Sequence, residues 1–191
     1  MTPRQAIAVT LVAFAVTCCK SHEPERDCPP PADSAKIVDP NLLAFLSLAR
    51  SAHHKADLKE EVDDLAGAIA ELGAVTRQFP SGAELAPEIR EVIADTRARL
   101  ADLKSRQGSF DAAAEDLRLG LEQTREPNYF RGHLFEVQGA NEERRAKSLD
   151  AAGQTAQAKA AKARALEAFE EAMKIQAGVI DQNTRPNNAP R

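Results

Sequence analysis

Apolar residues recur at steps of three and four along most of the chain after residue 39, which is the spacing of an amphipathic α-helix. In residues 97–123 one apolar stripe ends near Gly108 and a second begins at Phe110. Glycine can end a helix with φ > 0 and Ser109 is a good N-cap, so we predict a helical hairpin turning at Gly108 and Ser109. A single hairpin cannot cover its own apolar stripe, which indicates a repeat protein.

The same periodicity predicts an all-α fold of six helices in three hairpins. Helix three has two equally good starts, a capping box at Ser81 and Glu84 and a proline at position 87. We predict that helix six caps the last core surface with Met173 inside the core, and that residues 181–191 are disordered. An antiparallel bundle without a groove is the structural alternative. The predicted helices span about 40–61, 64–78, 81 or 87 to 108, 109–123, 127–152 and 155–179.

One motif carries a family resemblance. The pattern Gly108-x-Phe110-Asp111-x-Ala113-x3-Leu117 resembles the middle of a tetratricopeptide repeat (TPR). Similar signatures stand at Ala68-x3-Leu72 and Ala165-x3-Phe169, 45 residues before and 52 residues after Ala113, whereas the family period is about 34. The resemblance covers about residues 40–180. It implies a short right-handed array and a binding scaffold, and no particular ligand.

The N-terminal stretch is typical of an export signal. Arg4 precedes an apolar run over residues 6–16, which is too short to span a bilayer and ends at Cys18 and Cys19. An apolar run closing on a cysteine resembles the lipobox of bacterial lipoproteins, which implies removal of residues 1–17 and lipidation of Cys18, with Cys19 as the alternative. Cleavage without lipidation, and a cytosolic chain with an apolar N-terminus, remain open. Residues 18–38 contain four prolines and are predicted to be an extended tether.

Composition and charge exclude several functions. Only 4% of the chain is aromatic and the formal net charge is −4, so a general nucleic-acid binder, which needs a basic face, is not expected. The chain contains no P-loop, no G-x-S-x-G and no H-E-x-x-H motif. We therefore expect no enzyme and no cofactor.

Metal binding has little support in the sequence. Cys18, Cys19, His22 and Cys28 follow one another with the spacing C-C-x2-H-x5-C, which matches no established zinc pattern. The neighbours His53 and His54 would point about 100° apart on a helix and could not share one ion. We assign no metal.

The polar segment of residues 141–148 on helix five admits two interpretations. A solvated helix face with ion pairs such as Glu142 with Arg145 is the simpler one. The TPR resemblance implies instead that first helices line a groove, where arginines would hold a carboxylate of a bound segment. The partner-binding residues predicted on that basis are Arg131, His133, Asn141, Arg144, Arg145 and Ser148.

The functional hypothesis that follows is a protein-binding or assembly scaffold, lipid-anchored at the outer membrane or in the periplasm of a bacterial envelope. Its partner would be a helix or an extended segment of another protein. The alternative is an envelope ligand- or metal-binding sensor that uses the cysteines and histidine of the tether, or a pocket among Tyr129, His133 and Arg144.

Overall fold

The structure, a computed structural model, describes residues 39–78 and 85–184, and this part of the chain contains helices and no strands. The predicted all-α class and the predicted number of helices are confirmed for it. The six helices are α1 (Pro40–Glu60), α2 (Leu65–Thr76), α3 (Pro87–Arg106), α4 (Phe110–Gln123), α5 (Tyr129–Ala151) and α6 (Thr155–Thr184).

Side-chain caps fix three of the helix starts. Asp39 Oδ1 accepts from the backbone N–H of Asn41 at 2.9 Å, and Asp64 caps α2 in the same manner. Asn128 has an extended backbone and its Oδ1 accepts from the Arg131 N–H at 2.8 Å, so α5 begins two residues later than the predicted start at Pro127. Of the two starts predicted for helix three, the structure has Pro87, while Ser81 and Glu84 lie outside the described residues.

The predicted end of helix six was too early. The helix continues through Ile180 to Thr184, so residues 181–184, which we predicted to be disordered, are helical. The rest of the predicted tail lies outside the described residues. Asn183 and Thr184 donate side-chain hydrogen bonds to the carbonyl oxygens of Val179 and Ile180, which helps polar residues to remain in the last turn.

Each hairpin turns through one residue with positive φ. These residues are Asp63 (58°), Gly108 (77°) and Gly153 (73°), spaced 45 residues apart. In each turn the following backbone N–H donates to a carbonyl five residues back at 2.9 Å, which is the Schellman arrangement. The three hairpins therefore repeat with a period of 45 residues.

This period corrects the third repeat of the sequence analysis. The position equivalent to Ala68 and Ala113 is Ala158, and not Ala165, which lies two turns further along α6. The two alanines are easily confused because α6 buries an alanine at nearly every turn. Its buried residues are Ala158, Ala161, Ala165, Ala168, Ala172 and Ile175.

The hairpins stack in chain order. Helices α1 and α2, α3 and α4, and α5 and α6 pair as hairpins, and the first helix of each later hairpin packs on both helices of the preceding one. Small side chains allow this close packing, since Ala94, Ala98 and Ala101 of α3 are fully buried beside Leu117 of α4 and Leu134 of α5. The core is thus a series of interfaces between neighbouring helices.

Helix α6 packs on α5 with its alanines and exposes larger apolar residues elsewhere. Leu166, Met173 and Ile180 are 63%, 70% and 63% exposed. The prediction that Met173 fills the core was therefore wrong, because the alanine stripe is the packed face. None of the helices in the described part of the chain combines the length and apolar character needed to cross a membrane.

Candidate functional site

The polar segment of α5 is partly buried. Asn141 and Glu142 are only 1% and 8% exposed, so the interpretation as a solvated face fails there. Glu142 accepts two hydrogen bonds from Arg164 of α6, at 2.9 and 2.7 Å, whereas its separation from Arg145 is 3.8 Å. Glu142 thus mainly joins α5 to α6.

Two of the residues predicted to bind a partner lie toward α3. Arg144 Nη2 is 2.8 Å from Asp102 Oδ1, and its Nη1 donates to Ser105 Oγ at 2.6 Å. His133 lines a recess between α3 and α5.

The other four lie elsewhere on α5. Arg131 Nη1 donates to the Thr124 carbonyl at 2.8 Å, and Asn141 Nδ2 donates to the Phe110 carbonyl at 3.4 Å. Arg145 pairs with Asp111 of α4, and Ser148 is exposed. Arg144 thus contacts α3, Asn141 and Arg145 contact α4, and Arg131 contacts Thr124 just after α4. The structure therefore does not bring the six residues into one groove.

The recess between α3 and α5 has a volume of about 420 Å³. The small side chains Ala98 and Ala140 leave room for it, and charged side chains surround it. It is lined by Asp95, Ala98, Arg99, Asp102, His133, Glu136, Val137, Ala140 and Phe169. We call it the α3/α5 recess.

Of the predicted residues only His133 lines this recess, and its other lining residues were not predicted. A signal for them exists in the sequence. Asp95, Arg99 and Asp102 follow one another at steps of four and three, which aligns them on one face of α3. On α5, Glu136 stands three residues after His133 and on the same face.

Arg99, the arginine that lines the α3/α5 recess, is already engaged. Arg99 Nη2 binds Glu60 Oε1 of α1 at 2.7 Å and contacts Asp57. Burial opposes ionisation of Glu60, but hydrogen bonds from Arg99 and Arg106 outweigh it, so the pKa of the carboxyl lies below its ordinary value.

Two carboxylates of the recess lack such partners. Within the described residues the side chain of Asp95 makes no hydrogen bond or ion pair, and that of Glu136 has only His133, whose Nδ1 is 3.5 Å away. The recess therefore offers unpaired negative charge next to buried apolar side chains.

A second cavity, of about 610 Å³, lies where the start of α4 faces α5 and α6. Arg145, Ser148 and Arg164 line it. Both arginines already bind carboxylates, Asp111 and Glu142 respectively, so this cavity has little uncompensated charge.

Tyr129, His133 and Arg144, the residues of the alternative ligand pocket, do not come together. The rings of Tyr129 and His133 are nearly parallel with centroids 6.1 Å apart. Arg144 lies eleven residues after His133, roughly 16 Å along the helix axis. Tyr129 and His133 thus form a local stack at the start of α5, without Arg144.

The histidines of α1 have separate environments. His53 Nε2 is 2.9 Å from Thr96 Oγ1, and His54 is exposed. In residues 39–78 and 85–184 no three side chains of His, Cys, Asp or Glu are grouped so that they could hold a metal ion. Cys18, Cys19, His22 and Cys28 lie outside the described residues.

In comparisons with models of protein families, with curated proteins and with solved structures, nothing matches this chain significantly.

Proposed function

We propose that the protein is a non-catalytic binding scaffold of the bacterial cell envelope, anchored by a lipid on Cys18 or Cys19. The α3/α5 recess is the observation that carries the binding role. It combines carboxylates on two helices that no lysine or arginine engages with an apolar floor, which suits an amphipathic side chain of a partner protein.

The charge of the recess determines the kind of segment that it would accept. Asp95 and Glu136 favour a lysine or arginine, whose aliphatic stem would lie against Val137 and Ala140. This reverses the expectation that arginines of α5 hold a carboxylate, because Arg144 is already bound to Asp102. The partner segment is therefore expected to be basic and to lie along the first helices of the hairpins.

A peptide-binding assay tests the role of the recess. The full chain in detergent is titrated into fluorescent extended peptides that carry a central lysine, arginine, glutamate or alanine. We expect binding of the basic peptides, and at least a tenfold loss of affinity in the double variant Asp95→Asn/Glu136→Gln.

The matched control is Glu61→Gln/Glu88→Gln, which removes the same charge from exposed positions outside the recess. This control should bind as the parent protein does. An equal loss in both double variants would show general charge attraction and contradict the proposal, as would an absence of binding to every peptide at millimolar concentration.

A further inference from the structure

Helix α6 carries an exposed apolar stripe that the α3/α5 recess does not include. Leu166, Met173 and Ile180 are separated by seven residues each, and all three are more than half exposed. Ala163 precedes them and Glu170 and Ala177 stand between them, all exposed, so that the steps alternate between three and four. This is the pattern of a coiled-coil seam, and it extends roughly 21 Å from Leu166 to Ile180. We call it the α6 stripe.

The 45-residue period shows what this face does in the preceding hairpin. The residue of α4 equivalent to Leu166 is Leu121, which packs against the cluster that contains Leu134 and Val137 of α5. The α6 stripe thus begins on the face that one hairpin turns toward the first helix of the next. The α6 stripe is therefore suited to pack against a helix.

The start of α6 differs from the preceding hairpins. Leu72 and Leu117, at equivalent positions, are buried under the next helix, whereas α6 has Lys162 there, paired with Asp150 at 3.2 Å. A lysine at this position disfavours the continuation of the array by another hairpin of the same kind. The apolar part of the stripe lies beyond it, toward Thr184.

Charge next to the stripe specifies the occupant further. Glu167 and Glu170 are exposed and have no hydrogen bond or ion pair with any residue that the structure describes. The nearby Lys174 is paired with Glu171 at 3.2 Å. Between Leu166 and Ile180 the uncompensated charge is therefore negative.

A second copy of α6 fits this charge poorly. A parallel pair would place Glu170 against Glu170 of the other copy, and an antiparallel pair would bury two Glu170 side chains near Met173. Burial of unpaired carboxylates is costly in either arrangement.

We propose that the α6 stripe docks an amphipathic helix of a partner protein, with lysine or arginine facing Glu170. The apolar residues of that helix, at heptad spacing, pack on Leu166, Met173 and Ile180. This stripe shares no residue with the lining of the α3/α5 recess, although Phe169 of α6 lines the recess and stands between Leu166 and Met173 in the sequence.

The test uses the full chain in detergent and two synthetic helical peptides of 18 residues. Both have leucine at heptad spacing, and one has lysine and the other glutamate at the flanking positions. We expect the lysine peptide to bind at least tenfold more tightly. Met173→Gln should weaken its binding at least tenfold, and Glu170→Lys should reverse the preference between the peptides.

Leu58→Gln is the matched control, because Leu58 is 50% exposed on α1. It should bind as the parent does, and Asp95→Asn/Glu136→Gln should also retain the helical peptide, which separates this proposal from the role of the recess. Equal affinity for both peptides, or binding insensitive to Met173→Gln, would overturn it. Sedimentation velocity could instead show a dimer of the parent protein that is absent in Met173→Gln. That result would overturn the proposal of a partner helix and identify a second copy of the chain as the occupant of the α6 stripe.

Discussion

Asp116 of α4 accepts a hydrogen bond from Arg97 of α3 inside the second hairpin, with Oδ1 2.9 Å from Nη1. The two side chains are only 8% and 12% exposed, and Lys104 contacts the other carboxylate oxygen. Removing one partner of such a pair leaves a charge buried without compensation. We expect Asp116→Ala to lower the free energy of unfolding by about 3–5 kcal/mol, measured by urea denaturation.

The neighbouring residue Glu115 provides the control. It also pairs with an arginine, Arg118, at 2.7 Å, but both side chains are more than half exposed. Glu115→Ala should cost far less, because water already solvates both charges. Similar losses for the two substitutions would contradict the distinction between a buried and an exposed pair.

The first hairpin has an aspartate where the other two have glycine. Asp63 adopts φ 58°, and a left-handed conformation costs a residue with a side chain roughly 1 kcal/mol. Asp63→Gly should therefore raise the free energy of unfolding by up to about 1 kcal/mol, and Gly108→Ala should lower it by about as much. Thermal and urea unfolding of both variants test whether stability rises in Asp63→Gly and falls in Gly108→Ala. A loss of stability in Asp63→Gly would show that the aspartate side chain stabilises this turn.

Gly120 lies where α4 packs tightly against α5. A Cβ at this position would lie 2.6 Å from Leu134 Cδ2, and Leu134 is fully buried and cannot easily move. Gly120→Ala should cost about 1–3 kcal/mol despite the better helix propensity of alanine. At Gly178 in α6 a Cβ would meet open space, so Gly178→Ala should gain about 0.5–1 kcal/mol. Urea denaturation of both variants measures the two changes, and equal gains would contradict the close approach.

His53 makes stability depend on pH. Burial lowers the pKa of this histidine below its ordinary value of 6.5; Asp95 and Asp57 oppose the shift, and Arg99 adds to it. The unfolded chain therefore binds the proton more readily than the folded protein. Stability from this group is fully present above pH 6.5 and is lost as the pH falls from there toward the lower pKa of the folded state.

We accordingly expect a lower melting temperature at pH 5.5 than at pH 7.5, measured in buffers of equal ionic strength. His53→Gln should reduce this difference, whereas His54→Gln, at an exposed position, should retain it. The lowered pKa of Glu60 reduces stability only as the pH falls below 4.5, the ordinary pKa of this carboxyl. That range lies outside the interval from pH 5.5 to 7.5. If His53→Gln keeps the full difference in melting temperature, groups other than His53 cause it.

The helices could be predicted from the sequence because their signals are local. The turn at Gly108 and the caps at Asp39 and Asp64 depend on residues within a few positions of one another. The third repeat could not be aligned in this way, because Ala158 and Ala165 stand in the same alanine stripe and only the turn at Gly153 distinguishes them.

The candidate site depended on contacts that periodicity does not encode. Arg144 was expected to face a partner, but its carboxylate partner, Asp102, stands 42 residues earlier on α3. Glu142 likewise finds Arg164 22 residues later, on α6. A polar helix segment gives the same sequence pattern whether water or a neighbouring helix satisfies its charges, so the burial of Asn141 and Glu142 was missed.

The proposed envelope role rests on the N-terminal cysteines, and intact mass combined with detergent-phase partitioning tests it most directly. The protein is expressed in a bacterial host with its full N-terminus and analysed without a tag. We expect a chain that lacks residues 1–17, carries a diacylglyceryl or triacyl addition on Cys18 and enters the detergent phase. A Cys18→Ser variant should lose both the added mass and the partitioning, unless Cys19 is the modified residue. An unmodified chain that still carries Met1 and stays in the aqueous phase would contradict the envelope anchor.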